Sequence, residues 1–261
     1  MLYALGKLPK VVDDRTLQLA AYLSPALAPP PESCDYYTLF KSAGDRSAWK
    51  MLGNDRVGDC ALAGQAHADM LWARYAEGRS LRISDAMVIH AYSQVTGYVP
   101  GDPSTDRGTS LLDALKFWRR PGIDRQRIRA FVEVDPRNLD NVKRAIDWFG
   151  CAYLGVMLPD AVLPRTVGLL PPWTCSPDGS AARQPNPHNG HCVIYAGYNA
   201  RGPVAVTWGT TVQVSWAFHE AYCDECYAMV APSWEQSAWL RTINPAFDAA
   251  ALERDLAAIA G

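Results

Sequence analysis

The sequence predicts an α+β protein, in which a helical N-terminal half precedes a C-terminal half of antiparallel β-strands. Residues 60–150 hold four segments with helical periodicity or helix caps, whereas residues 151–232 hold five short apolar runs rich in β-branched and aromatic residues. Helices and strands that follow one another in blocks are typical of the α+β class. With 261 residues, 49% of them hydrophobic and 20% charged, the chain can bury a substantial core and is too apolar to be disordered.

The four predicted helices each have a capping or helix-breaking residue at one end. They cover residues 60–77, 85–96, 109–120 and 138–150. Ser84 precedes the second helix as an N-cap, and Pro121-Gly122 ends the third. The first helix repeats small and apolar side chains, such as Leu62 and Ala66, along one face, which predicts that it packs into the core.

The second half alternates short apolar runs with Pro, Gly and Asn. The runs cover residues 151–158, 191–199, 203–209, 212–218 and 226–232. Each run is predicted to be a strand of one sheet. A loop with seven prolines, residues 159–190, separates the first two strands.

Two further segments flank this body. Residues 1–53 form an N-terminal arm, and Pro29-Pro30-Pro31 favours an extended path for it, so we expect the arm to wrap over the body. Residues 241–261 form a C-terminal helical tail that starts at Asn244-Pro245. Between them, the helical half covers residues 54–150 and the β half covers residues 151–240.

The charge balance excludes some classes of function. There are 25 Lys and Arg against 27 Asp and Glu, a net charge of −2, so no basic surface for nucleic acid is predicted. Lys7 and Lys10 interrupt the apolar N-terminus, which argues against a signal peptide, and no run has the length and apolarity of a membrane span. We therefore expect a cytoplasmic protein that binds neither nucleic acid nor membrane, with its seven scattered cysteines reduced.

A cysteine and a histidine occupy positions that suit nucleophilic chemistry. The turn-rich run of residues 53–59 leads into a helix whose first residue is Cys60, and the partial positive charge at a helix N-terminus stabilises a thiolate. His191 opens an alternating strand directly after the proline-rich loop, where an imidazole can face a cleft. Taken separately, each residue is more simply explained as a buried or capping side chain. Taken together, they predict a thiol–imidazole pair.

These two segments resemble the papain-like cysteine peptidase superfamily, in a divergent form of the phage or bacterial type. The family has a glutamine six residues before its cysteine and a glycine two residues before it, and Asn54 and Gly58 stand in those places relative to Cys60. The family's histidine opens a strand that ends in Gly-Tyr, as the strand from His191 to Tyr198 does, and the separation of 131 residues fits the family. The resemblance covers most of the chain but neither the arm nor the tail.

The resemblance implies a papain-like fold, with the cysteine helix packed against an antiparallel β half, and acyl transfer through a thioester. His191 is expected to deprotonate Cys60 and later to protonate the leaving group. The backbone N–H of Cys60 and the side-chain amide of Asn54 are expected to hold the oxyanion. The implied substrate is a peptide or an amide, and no cofactor is implied.

The sequence departs from the family at the residue that orients the histidine. The family has an asparagine two residues before a Trp-Gly pair, whereas Val206 stands two residues before Trp208. Valine cannot accept a hydrogen bond, so we predict that Thr207, or a water held there, takes this place and that Val206 points into the core. Because strict alternation sends neighbouring side chains to opposite faces of a strand, a one-residue register shift or a bulge would bring Thr207 to the histidine.

These departures leave three functions open. The first is a peptidase or amidase with a Cys60–His191 dyad, and the second is an acyltransferase that uses the same acyl-enzyme. The third is a catalytically weak or inactive papain-like module, in which the arm or the 159–190 loop contacts a protein partner. If the protein is active, narrow specificity or low activity is expected, since no propeptide is recognised in the sequence.

Cys223 and Cys226 form an isolated Cys-x-x-Cys motif. A zinc site needs two more ligands at matched spacing, and none lies nearby in the sequence. Thioredoxin-like chemistry needs the motif to open a helix, but the residues that follow are predicted to be a strand. The sequence therefore predicts no metal site.

Overall fold

The computed structural model of the protein describes residues 3–38, 49–166, 170–235 and 246–260. The helices are α1 (Cys60–Ala76), α2 (Asp85–Thr96), α3 (Leu111–Arg119), α4 (Leu139–Phe149), α5 (Trp216–Tyr222), α6 (Pro232–Glu235) and α7 (Ala249–Ala260). The strands are β1 (Cys34–Asp35), β2 (Ala130–Val134), β3 (Ala152–Met157), β4 (Gly190–Asn199), β5 (Gly202–Thr207), β6 (Thr210–Gln213) and β7 (Cys223–Val230). The predicted α+β class is confirmed.

The strands of the described ranges form one antiparallel sheet. Their order is β2-β7-β3-β4-β5-β6, and the short strand β1 pairs with β4. Strand β3 lies between β4 and β7, so that Gly155 stands opposite both Cys192 and Glu225. The register between β3 and β7 shifts directly after Gly155.

Helices cover both faces of the sheet. Helix α1 packs on one face, where Leu62 joins Ile194 and Val206 in one buried cluster. Helix α4 packs on the other face, where Ile146 joins Val193 in a second cluster. Because side chains alternate along β4, this strand supplies apolar residues to both layers. The predicted packing of the cysteine helix against the β half is confirmed.

The predicted helix ends agree with the observed capping. The side chains of Ser84, Ser110 and Asn138 each accept a hydrogen bond from the backbone N–H three residues later. These bonds satisfy donors that the first turn of a helix leaves unpaired. Helix α4 ends at Gly150, which has a left-handed φ of 82°.

One strand lies outside the predicted elements, and one predicted strand is wrong. Residues 130–134, between the third and fourth predicted helices, form edge strand β2, because their apolar side chains complete the sheet beside β7. Residues 212–218 are predicted to be one strand, but β6 ends at Gln213 and helix α5 begins at Trp216. The hydroxyl of Ser215 accepts a hydrogen bond from the N–H of Phe218, which starts the helix.

The arm and the tail follow the body closely. In the arm, Leu19–Tyr22 forms a 3-10 helix beside β2. Tyr22 donates a hydrogen bond to Asp255 on α7, which joins the arm to the tail. The predicted start of the tail at Asn244-Pro245 lies outside the described residues. No helix in the described ranges has the length and apolar character needed to cross a bilayer.

Candidate active site

Cys60 is the first residue of α1, as predicted, and it is buried. Residues 51–57 form turns in which the carbonyl oxygen of Gly53 accepts backbone hydrogen bonds. The carbonyl oxygen of Asp59 then accepts hydrogen bonds from the N–H groups of Leu62 and Ala63, and these bonds start the helix. Only 1% of Cys60 is exposed. The sulfur therefore lies at the positive end of a 17-residue helix, where the helix dipole favours an anion.

Burial of Cys60 disfavours its thiolate. Loss of water raises the pKa of the Cys60 thiol from its usual 9.0 to about 11, although hydrogen bonds from the backbone of Cys192 and Gly6 and the charge of Lys7 act to lower it. The neighbouring carboxyl of Asp59 is also fully buried, and its pKa is raised well above the usual range for the same reason. At neutral pH the thiol is therefore protonated in this state of the molecule.

His191 lies at the start of β4, next to Cys192, whose backbone hydrogen-bonds the Cys60 sulfur. The imidazole Nε2 is 2.7 Å from the hydroxyl oxygen of Thr207. Its Nδ1 is buried and has no hydrogen-bond partner among the described residues. Burial lowers the pKa of His191 to about 3, so the ring is neutral at physiological pH.

Thr207 and Val206 face opposite sides of β5. Thr207 reaches His191, while Val206 is 1% exposed and packs in the buried cluster that also contains Cys60. A hydroxyl at Nε2 can hold the ring in the tautomer that keeps the lone pair on Nδ1. The structure thus brings Thr207 to the imidazole.

A strained turn places an aromatic ring against His191. Strands β5 and β6 are joined by the two residues Trp208 and Gly209, both with positive φ, 43° and 72°. A two-residue hairpin turn of this kind prefers Asn-Gly, and a non-glycine residue in the left-handed region costs on the order of 1–2 kcal/mol. The Trp208 ring stacks on the imidazole, with centroids 4.2 Å apart and planes 18° apart. The strain therefore coincides with a ring that shields His191 from water.

Asn54 is buried close to the thiol helix, but its amide is already engaged. Its Nδ2 donates to the carbonyl oxygen of Val57, 3.2 Å away, and at 3.5 Å to the carbonyl oxygen of Ala4 in the arm. Its side chain also contacts Asp59. Of these two bonds, the one to Ala4 joins the Asn54 amide to the arm.

The beginning of the arm lies in the cleft beside Cys60, and we call residues 3–8 the cleft segment. Four backbone–backbone hydrogen bonds hold the segment. Ala4 N–H donates to Asn54 O (3.1 Å), Lys7 N–H to Gly190 O (3.1 Å), Leu8 N–H to Thr109 O (3.0 Å), and Thr109 N–H to Gly6 O (2.8 Å). Both walls of the cleft therefore bind an extended chain, one next to α3 and one next to His191.

The fit of the cleft segment is close. A Cβ on Gly6 would lie 1.8 Å from the carbonyl oxygen of Gly58, and a Cβ on Gly190 would lie 2.1 Å from the carbonyl oxygen of Lys7. Tyr3 stacks on the outer face of Trp208, with centroids 5.2 Å apart. Glycine is therefore required at Gly6 in the segment and at Gly190 in the wall of the cleft. The segment covers both Cys60 and the Trp208 ring that shields His191.

Comparison with solved structures identifies the architecture. The structure aligns with xylellain, a cysteine protease from Xylella fastidiosa, with a TM-score of 0.64 over 88% of this chain and 97% of that chain, at 14% sequence identity. The chain has the papain-like fold. A structure concerned with the mite allergens Blo t 1 and Der p 1 also matches, with a TM-score of 0.50 over 86% of this chain and 75% of that chain, at 11% identity. No protein-family model and no curated protein matches the sequence.

The papain-like fold accounts for the thiol helix and the histidine strand, but sequence reasoning missed what fills the cleft. The arm was expected only to wrap the body, and nothing in its composition indicates that residues 3–8 lie beside Cys60.

The middle residues of the Cys-x-x-Cys motif, Asp224 and Glu225, contact Lys7 of the cleft segment. All seven cysteines lie in the described ranges as free thiols, and no three His, Cys, Asp or Glu side chains there are grouped for a metal ion.

Proposed function

We propose that the protein is a thiol hydrolase that cleaves peptide or amide bonds through Cys60 and His191. The observation that carries the proposal is the cleft segment, an extended peptide held by backbone hydrogen bonds to Thr109 and Gly190 beside the thiol. A cleft that binds an extended chain mainly through its main chain suits a peptide substrate. The papain-like fold supports the same reaction class.

Activation begins when the cleft segment leaves. Water then reaches Cys60 and His191, and this removes the desolvation that raises the pKa of the thiol and lowers the pKa of the imidazole. The helix N-terminus stabilises the thiolate that forms. With Nε2–H donated to Thr207, the proton of the thiol passes to Nδ1.

Peptide cleavage follows in two steps. The Cys60 thiolate adds to the substrate carbonyl, and the oxyanion is held by the Cys60 N–H and by the Asn54 N–H that Ala4 occupies in the closed cleft. The His191 imidazolium gives its proton to the leaving amine as the C–N bond breaks, which leaves a thioester. Water, deprotonated by His191, then cleaves the thioester and restores the thiol. An amine acceptor in place of water would make the protein an acyltransferase.

The closed cleft also supports a second candidate, a papain-like module without turnover. Cys60 is 1% exposed, and the cleft segment is anchored by the fully buried ammonium of Lys7. A body that stays closed would serve as a structural or protein-binding element through its arm. The two candidates differ in whether an opened cleft turns over peptide.

The decisive experiment opens the cleft without touching the proposed catalytic groups. In full-length Gly6→Ala, the added methyl cannot fit against Gly58, so the cleft segment is displaced. We expect this variant to cleave a mixed library of internally quenched peptides faster than the wild type, and we expect Cys60→Ala in the same background to abolish the cleavage. Val12→Ala, in an exposed part of the arm, is the matched control and should behave as the wild type.

The opposite result is equally clear. If Gly6→Ala exposes a Cys60 that iodoacetamide alkylates, yet no peptide in the library is cleaved, the hydrolase proposal is wrong and the module without turnover is favoured. Cleavage that persists in the Cys60→Ala double variant would also contradict the proposed nucleophile.

A further inference from the structure

The cleft holds a pocket that the proposed chemistry does not explain. Lys7 of the cleft segment buries its side chain completely. Its ammonium lies 2.7 Å from Asp224 Oδ2 and 3.0 Å from Glu225 Oε1, both at the start of β7. Glu225 is fully buried, and Asp224 is 27% exposed. Two carboxylates therefore converge on one cation.

The sheet is built to leave room for that side chain. Gly155, on the strand between His191 and Glu225, has no side chain, and a Cβ there would lie 2.0 Å from Lys7 Cε and 2.7 Å from Glu225 Cγ. Any larger residue at this position would fill the pocket. The pocket thus depends on a glycine at the point where the register of β3 and β7 shifts.

The charges of the pocket favour a basic occupant. The carboxylates of Glu225 and Asp224 raise the pKa of Lys7 above its usual value, although burial alone lowers it. Tyr227 donates its hydroxyl to Glu225 Oε2, 3.0 Å away, and this fixes the carboxylate. Asp224 Oδ1 is buried without a hydrogen-bond partner among the described residues, which leaves an acceptor for a second N–H donor.

The position of the occupant shows how the pocket is reached. Lys7 belongs to the cleft segment, whose main chain is bonded by the backbone of the cleft and, near its first residues, by the side chains of Asn54 and Trp208. The Lys7 N–H bonds Gly190, the residue before His191. The same backbone groups could bond an extended peptide in place of the segment, and the peptide's side chain at this position would then lie beside the same carboxylates.

We propose that Asp224, Glu225 and Gly155 form a specificity pocket for a lysine or arginine side chain of the substrate, which Lys7 fills in the closed protein. The assignment rests on the proposed function, in which an incoming peptide displaces the cleft segment. It extends that function by naming the substrate class, peptides with a basic residue beside the scissile region. It also explains why the segment carries a lysine at this point.

Matched peptides test the pocket. The full chain with Gly6→Ala and Lys7→Met opens the cleft and removes the internal competitor. Gly-Lys-Leu and Gly-norleucine-Leu, which copy residues 6–8 and differ only in the ammonium group, are compared by calorimetric binding to this protein with Cys60→Ala added. We expect the lysine peptide to bind about tenfold more tightly or better, because its ammonium pairs with a buried carboxylate.

The carboxylates are then removed one at a time. Glu225→Gln should reduce the preference for lysine over norleucine to about twofold or less, with Glu220→Gln, on the exposed side of α5, as the matched control that retains it. If Glu225→Gln does not fold, Asp224→Asn, at the less buried carboxylate, should still reduce the preference. Equal binding of the two peptides, or a preference unaffected by both substitutions, would overturn the pocket.

Turnover by the same protein with Cys60 intact separates this proposal from the function on which it rests. A lysine preference in binding without cleavage supports the pocket and contradicts the hydrolase. Cleavage of fluorogenic peptides with no preference between lysine and norleucine supports the hydrolase and overturns the pocket.

Discussion

The alkylation rate of Cys60 tests directly whether the cleft segment covers the thiol. In the closed protein the pKa of the thiol is raised from 9.0 to about 11 by burial. This difference corresponds to about a hundredfold smaller thiolate fraction at neutral pH, or about 2.7 kcal/mol at about 1.36 kcal/mol per pH unit. Since only the thiolate reacts with iodoacetamide, Gly6→Ala should raise the alkylation rate of Cys60 by about a hundredfold or more at neutral pH.

The assay is mass spectrometry of labelled peptides across pH, with the other six cysteines as internal standards. In the wild type, the Cys60 rate should rise tenfold per pH unit to beyond about pH 10, as expected for a buried thiol. In Gly6→Ala the rate should level off at lower pH, because the exposed thiolate lies at a helix N-terminus. Wild-type Cys60 that already reacts as fast as in Gly6→Ala would refute the conclusion that the segment covers the thiol.

Three further outcomes follow from the same geometry. In the Gly6→Ala background, Thr207→Val should lower kcat/KM by about tenfold to a hundredfold through loss of the imidazole's orienting partner, and Thr207→Ser should restore most of it, as read from pH–rate profiles. Asn54→Ala in that background should lower kcat by about a hundredfold with little change in KM, as loss of one oxyanion donor does in steady-state kinetics. His219 has its pKa lowered to about 4 by burial, so the folded state resists protonation and loses stability as pH falls from about 6.5 towards 4. Urea unfolding of His219→Gln, which retains a donor for Pro136 O, should therefore show a pH slope shallower by up to about 1.4 kcal/mol per pH unit in that range.

The elements set by local rules were predictable from the sequence. Ser84, Ser110 and Asn138 indicate helix starts, because their side chains can accept hydrogen bonds from backbone N–H groups that the first turn of a helix leaves unpaired. The structure shows each of these bonds. Strand β2 was not predictable in this way. Its residues follow a predicted helix and become a strand only because β7, about a hundred residues later, offers an edge.

In the candidate site too, local features could be predicted from the sequence, whereas contacts between distant residues could not. The placement of Cys60 at a helix start is a local feature, and the sequence carries it. The contact between Thr207 and His191 lies directly before a turn in which Trp208 adopts a positive φ, a conformation that no pattern in the sequence indicates for tryptophan. The cleft segment depends on contacts between residues fifty or more positions apart, and its composition is that of any short apolar terminus.

The cleft segment contacts both Cys60 and the tryptophan ring that covers His191. Burial alone accounts for the lowered pKa of His191, and it is the largest cause of the raised pKa of Cys60. Gly6 contacts the sulfur, and Tyr3 stacks on the tryptophan that covers the imidazole. On the proposed function, we expect displacement of this one segment to hydrate both groups, so that the two pKa values move towards each other and favour an ion pair. The side chain that anchors this segment is Lys7, so a peptide whose basic residue competes for the same carboxylates would open the site and occupy it in a single exchange.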